Sequence, residues 1–463
     1  MATATEFISF GAAAGALLAL ASRRGAPLAS VPNWSGNQRF RFASIAAPAS
    51  VEEVAALVRS AKRVKVVGSA HSFNASAAAD AGLERDTVCI TLKRLAAARP
   101  PEVDEARATV SVCAGATYGD LFLFLKCTKW ALHNSASLPH ISVGGAVATA
   151  THGSGAANGN LATAVVALEL VTASGNVLQL SRAALGAAFD AYVVHLGALG
   201  VVTRVTLSLV PAFSVRQDVF QGLALDRACE SLDAIMSAGY SVSLFTLWAD
   251  TRGLFEQVWV KSVVAPDTPL DPAVADASAN FYGARRATRK LHPIESVGAE
   301  PCTEQLGMPG AWHDRLPHFK YEFQPSVGAE LQSEFFVSKA DAPAALRAVH
   351  ALRAEIEPLL FVTEVRSIAQ DGLWMSTAHG RPSIAIHFTW RPMGREVAAL
   401  LPKIEAALAP FGARPHPGKL STLGGAEFAA RFPRFSDFAA LRKELDPEGK
   451  FSNVWLRNLG LAS

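Results

Sequence analysis

The sequence lacks the cysteine patterns that staple or metallate a chain. Its five cysteines, at 89, 113, 127, 229 and 302, are odd in number, far apart and without a C-x-x-C. No zinc-ligand spacing is present, so no metal is expected, and a disulfide framework does not suit so large a chain. They read as buried free thiols. Charge is also scarce. Only 18% of the 463 residues are Asp, Glu, Lys or Arg, and the formal net charge is +3. That is too little and too scattered to argue for a nucleic-acid partner. Long apolar runs are missing as well. Residues 7–21 are small and apolar but end before Arg23-Arg24, too short for a secure membrane span. They lack the positive flank of a secretory signal, and Glu6 argues against a mitochondrial presequence. Residues 1–30 therefore read as an extension, with a targeting or anchor role left open. The compartment follows from that choice: cytoplasmic without a signal, membrane-associated or organellar with one.

Half of the residues are apolar, which supplies a large core, and the length fits two or three domains. The most unusual stretch is 135–155, S-A-S-L-P-H-I-S-V-G-G-A-V-A-T-A-T-H-G-S-G. Small side chains and glycines there let a ligand approach backbone N–H groups, which suits a pyrophosphate. It is neither a P-loop nor a G-x-G-x-x-G turn. Taken alone, it reads equally as a Gly/Ala-rich packing segment. Residues 64–74, V-K-V-V-G-S-A-H-S-F-N, give a short strand over 64–67 and then a small-residue turn with His71 at its tip.

Around these, the chain reads as α+β. Ser50-Val-Glu-Glu is a capping-box pattern opening a helix to about Ala61. Strands are expected at 88–92, 109–112, 163–172 and 177–180, with a Gly175-Asn176 turn between the last two. Helices are expected at 118–126, burying Leu121, Leu123, Phe124 and Leu125, and at 189–196. From about 213 the character changes to strands rich in Val, Phe and Trp, at 241–248 and 257–263, and residues 265–293 read as a surface loop. Period two puts Glu364 with Arg366 on one strand face, His387 with Thr389 on a second, and Gln332 with Glu334 on a third. Each pair alone is an ordinary solvated face. Three such pairs on one side of a sheet would form a polar wall. Lys419 follows P-H-P-G, a rigid turn, which can aim it, though a lone lysine is more often at the surface. A helix at 435–445 precedes the closing D-P-E-G-K-F-S-N.

The pair G-S-A-H-S-F-N and S-L-P-H-I-S-V-G-G-A-V-A-T-A-T-H-G-S-G resembles the vanillyl-alcohol-oxidase-type flavoproteins. With G-A-L-G-V-V-T (197–203), C-T-E-Q (302–305), H-F-T-W (387–390), R-P-H-P-G-K (414–419) and L-D-P-E-G-K-F-S-N (445–453), the resemblance narrows to the alditol oxidase branch, close to the aldonolactone oxidases. It implies a two-lobed PCMH-type fold. Residues 31–212 would form an FAD-binding domain and 213–419 an antiparallel-sheet substrate domain. Residues 420–463 would return to the FAD domain, making it discontinuous.

The resemblance implies FAD held covalently by His71 through an 8α-histidyl bond. Further cofactor contacts are implied at Gly68, Ser69, Ala70, Ser72, Ser137, Ser142, Gly145, Ala146, Val147, Ala148, His152, Gly153, Val201 and His416. Ala70 stands where close relatives usually have Gly, and Ala fits without strain only at negative φ. The implied reaction is oxidation of the primary hydroxyl of a linear polyol, with O2 reduced to H2O2. A lactone oxidase or dehydrogenase is the alternative, so the expected partner is a small polyol or sugar lactone. Lys419, His387 and Arg366 would be catalytic. Ser137, Glu364, Thr389, Gln332, Arg366 and Lys419 would bind substrate. Ala136 lies where relatives control oxygen access.

Overall fold

The computed structural model describes residues 27–265, 280–323 and 330–462. The expected N-terminal extension falls outside the described residues up to position 26, as do residues 266–279 of the 265–293 loop. The rest of that loop includes two short paired strands, Asn280–Phe281 and Ala284–Arg286, which extend the large sheet. Among the described residues, no helix is long and apolar enough to cross a membrane.

The first half contains two small sheets on one apolar core. Arg63–Val66, Thr87–Ile90 and Ser44–Ala46 pair in parallel, with Thr87–Ile90 central. A helix, Val51–Ser60, covers them; Ser50 Oγ accepts from Glu53 N at its start. The second sheet is antiparallel and five-stranded, with Val201–Ser208 between Val165–Val171 and Thr109–Cys113. The expected 163–172 strand begins as a 3-10 turn over Leu161–Ala164, where Asn160 caps Ala162 N. The expected 189–196 helix is reduced to Asp190–Val193: Val194 leaves helical geometry at ψ 76, and Leu196 and Gly197 beyond it take positive φ. Helix Tyr118–Leu125 buries Tyr118, Leu121, Phe122 and Leu125. Leu123 and Phe124, expected inside, are exposed. The buried set is the i, i+3, i+4, i+7 face, and an apolar neighbour off that stripe stays outside. Cys127 is exposed too, whereas the other four cysteines are buried and free. Late in the chain, Phe438, Phe451, Leu456 and Leu461 join this first core.

The second half is built on a ten-stranded antiparallel sheet. Strands Leu360–Ile368, Ser383–Trp390 and Leu331–Ser338 lie side by side within it. Phe335, Val337, Val365, Ile386 and Phe388 project to one face, packing with helices Ala342–Ala351 and Gly394–Leu408. Alternation forces Glu334, Glu364, Arg366, His387 and Thr389 onto the other. All five are buried, so that face is not solvated: His152 and Ser137 of the first half meet Glu334 and Arg366, and His318 of the second half meets Glu364. The halves are knitted directly: Gly155 N donates to Ser367 O, and Asn158 Nδ2 donates to Tyr240 O.

Candidate active site

Register builds the site. Glu334 lies opposite His387, and His387 lies opposite Glu364, so three polar side chains form a row across adjacent strands. Gln332 and Thr389 form the next step of the same ladder. The turn at 415–419 closes one end. Leu420 N donates to Gln332 O, and His416 N to Glu334 O. From the first half, Asn74 Nδ2 donates to the carbonyls of Pro417 and Lys419, so the His71 turn and the Lys419 turn are clamped together.

Glu334 is the hub. Its Oε1 accepts from Arg366 Nη2 at 2.9 Å and lies 3.0 Å from His152 Nε2. Its Oε2 is 2.9 Å from Lys419 Nζ. Burial opposes its ionisation, but Lys419, His152, Arg366 and His387 outweigh that and hold the carboxyl well below the usual carboxylate range. Burial pushes Lys419 downward, with Glu334 opposing. Burial and neighbouring Lys419 press His387 to about 4, so it is neutral. Its Nδ1 is 2.6 Å from Lys419 Nζ and its Nε2 is 3.1 Å from Thr389 Oγ1. Arg366 also reaches Ser137 Oγ at 3.3 Å and lies 3.6 Å from Glu364. The same wall continues to His318, whose Nε2 is 2.7 Å from Glu364 Oε1.

This wall faces a long cleft whose opposite side is the His71 turn and the small-residue stretch. Of the residues expected at the cofactor and substrate, most line it: Gly68 to Ser72, Ser137, Ser142, Gly145, Ala146, Ala148, His152, Gln332, Glu364, Arg366, His387, Thr389, His416 and Lys419. Val147, Gly153 and Val201 do not. Val147 and Val201 point into the first core, and Gly153 packs against Asn134 and Ser135. Leu196 and Gly197 line the cleft instead, and Gly200 and Val202 line the cavity beside it.

The residues fit FAD. Both His71 ring nitrogens are buried and without a partner, while Trp34 stacks on the ring at 5.6 Å. An unpartnered buried imidazole is costly unless an occupant uses it. A Cβ on Gly68 would stand 2.2 Å from Ser142 Oγ and 3.0 Å from its Cβ, so any larger residue there would displace the Ser142 side chain. Ala70 takes φ +57, not the negative φ an alanine prefers. The turn therefore keeps the conformation a glycine would adopt, and the methyl carries the strain.

Residues 42–181 match the FAD binding domain family, and residues 329–459 match the D-arabinono-1,4-lactone oxidase family. The alditol oxidase of Streptomyces sp. is 44% identical over 93% of this chain and 99% of its own length. The chain belongs to the alditol oxidase family. It is thus an FAD-dependent oxidoreductase of the kind that acts on CH–OH donors. An L-gulono-1,4-lactone dehydrogenase of Mycobacterium tuberculosis is 30% identical over 92% of this chain and 98% of its own. Cholesterol oxidase from B. sterolicum superposes with a TM-score of 0.71 at 14% identity, covering 95% of this chain and 99% of that one. The fold is the two-lobed PCMH-type FAD fold that the sequence pattern implies. Glu334, the hub, was visible in the sequence only as a face partner of Gln332. His318 carried no local signal, since it lies in an irregular stretch far in sequence from Glu364.

Proposed function

We infer that this chain oxidises the primary hydroxyl of a linear polyol such as xylitol or sorbitol to an aldose. FAD would be attached through His71, and O2 would be reduced to H2O2. One observation carries the reading: the cleft wall opposite the His71 turn is made of hydroxyl-reading groups. Glu364, Arg366, Thr389, Gln332 and Lys419 line it, and Ser137 faces Arg366 from the other side. A polyol offers only hydroxyls, and a site that pairs each of them rejects a substrate that leaves its own buried groups unpaired.

Bound FAD supplies the hydride acceptor. The protein's part is positional and electrostatic. Lys419 takes the proton of the reacting hydroxyl. Burial, which disfavours its ammonium, favours the neutral base the step requires. His387, neutral and hydrogen-bonded to Thr389, orients the hydroxyl beside it. Arg366 stays cationic because Glu334 and Glu364 flank it, and it stabilises negative charge developing on the substrate oxygen. Glu364, ionised, accepts from a hydroxyl further along the chain. Ala136, small and in the cleft lining, leaves room for O2.

A second reading, a lactone oxidase or dehydrogenase, is favoured by the match of residues 329–459, which contain Lys419, to the arabinonolactone oxidase family. The test is to mix the full chain anaerobically with xylitol, sorbitol, L-gulono-lactone and L-galactono-lactone in turn, follow flavin absorbance, and then admit O2. Fast bleaching by a polyol, with rapid recovery and H2O2, supports the first reading. Bleaching by a lactone alone moves the chain to the second. Slow recovery in O2 rejects an oxidase in favour of a dehydrogenase.

A further inference from the structure

Behind the polyol wall lies a lysine that the reaction does not use. Lys261, on strand Leu254–Val264, is 1% exposed. Its ammonium is held by Leu316 O at 2.5 Å, Pro317 O at 2.9 Å and His318 Nδ1 at 3.1 Å. As an ammonium, Lys261 offers three N–H donors and no acceptor to these three groups; burial lowers its pKa to about 7, and the charge of Glu364 works against that fall. Two of those groups are carbonyls, which cannot donate. Facing the ammonium form, His318 Nδ1 is the bare nitrogen, and its single proton sits on Nε2. That nitrogen is 2.7 Å from Glu364 Oε1. Burial and Lys261 together keep the imidazole neutral, at about 4, so this tautomer carries no charge of its own.

The direction of donation is thereby fixed along the line Lys261, His318, Glu364. The opposite tautomer would set two donors against each other at Lys261 and present a bare nitrogen to a carboxylate at Glu364. Two buried like-for-like contacts of that kind are costly. Glu364, taken on one oxygen by His318, keeps the other facing Arg366 and the cleft. It is thus ionised and held in one rotamer before any substrate arrives.

We propose that Lys261 and His318 are positioning residues for the polyol site: Lys261 selects the Nε2–H tautomer of His318, which locks Glu364 as an ionised acceptor for a substrate hydroxyl. The assignment of Glu364 to a hydroxyl rests on the function inferred above, but the tautomer does not.

The two are therefore tested separately. Long-range 15N–1H spectra of 15N-histidine-labelled holoenzyme report the tautomer without any substrate, and the His318 signals are identified by their loss in His318→Gln. An Nε2–H pattern with bare Nδ1 in the wild type, shifting toward protonation at Nδ1 in Lys261→Met, is expected. An Nδ1–H or doubly protonated His318 in the wild type, or an Nδ1 equally bare in Lys261→Met, overturns the proposal even if the enzyme oxidises polyols well. With a polyol substrate, His318→Leu should raise KM at least tenfold and change kcat less than threefold. Glutamine presents a carbonyl to Lys261 and an NH2 to Glu364, so His318→Gln should bring KM back to within threefold of wild type. A purely structural role would lower stability in both variants and leave KM alone; that result, or a failure of glutamine to restore KM, overturns the proposal. Absence of polyol oxidation in the wild type would sink the function inferred above and leave the tautomer measurement standing.

Discussion

Glu334→Gln probes the centre of the cleft most severely. The carboxylate takes Arg366 and His152 on one oxygen, at 2.9 and 3.0 Å, and faces Lys419 on the other at 2.9 Å. Glutamine has one acceptor oxygen and one NH2. In either orientation the NH2 meets a donor: the ammonium on one side, or the guanidinium on the other. The position is 1% exposed, so water does not absorb the mismatch. Breaking a buried pair of this kind costs about 3 to 5 kcal/mol, and the urea midpoint should fall accordingly. Lys419 can relieve the clash by releasing its proton, which Arg366 cannot do. A unit charge 2.9 Å away, at an effective dielectric of about 20, holds an ammonium by roughly 5.7 kcal/mol. A quarter of that is about one pKa unit. Removing the neighbour that raises the pKa of Lys419 frees the base at lower pH. The acid limb of kcat/KM, measured by stopped-flow flavin reduction, should move down by at least about one pH unit. A limb that stays in place or moves upward would refute Lys419 as the base, Glu334 as its counter-charge, or both.

Three further outcomes are expected. Lys419→Met should keep the flavin bound and slow its reduction by at least about a hundredfold; full-rate bleaching by substrate would remove Lys419 from the reaction. His71→Ala should leave a chain from which acid or heat releases all flavin, whereas flavin travelling with the denatured variant would place the linkage at another residue. Ala70→Gly relieves a methyl at φ +57. That strain is worth roughly 1 to 2 kcal/mol, and the freer unfolded glycine returns about 0.4 to 1 of it. A small rise in the urea midpoint should result, and a fall would show that the methyl packs favourably.

Acid stability gives a prediction with a fixed sign. Glu334 and Glu364 are both held well below the ordinary carboxylate range by the cations around them. A depressed pKa stabilises the fold fully above the unfolded value, about 4.3 for Glu, and the gain is lost as pH falls through the folded value. The holoenzyme should therefore keep its stability down to about pH 5 and lose it steeply below 4. Lys419→Met removes one of those cations, so its acid midpoint should lie higher than that of the wild type. An equal or lower midpoint would show that Lys419 does not support the carboxylates.

What the sequence could disclose of this site follows from where each constraint lives. Alternation is local, so Glu364 with Arg366, and His387 with Thr389, could be assigned to common faces from their spacing alone. Which pairs face each other is a matter of register, and register is set across strands. Glu334 illustrates the difference. One strand shows it only as a companion of Gln332, but pairing opposite His387 makes it the counter-ion of Lys419 and Arg366 and a neighbour of the His152 ring at once. His318 is harder still, since its partners Lys261 and Glu364 come from two different strands and its own segment has no period to read. Errors in the first half have the same origin. Leu123 and Phe124 are apolar, yet the helix turns them away from the core. Val201 follows a glycine turn that lines the cleft side, yet its side chain enters the core. The Ala70 turn shows the converse. There the fold holds its backbone against the preference of the residue it contains, as a turn would if its shape were set by what His71 must reach.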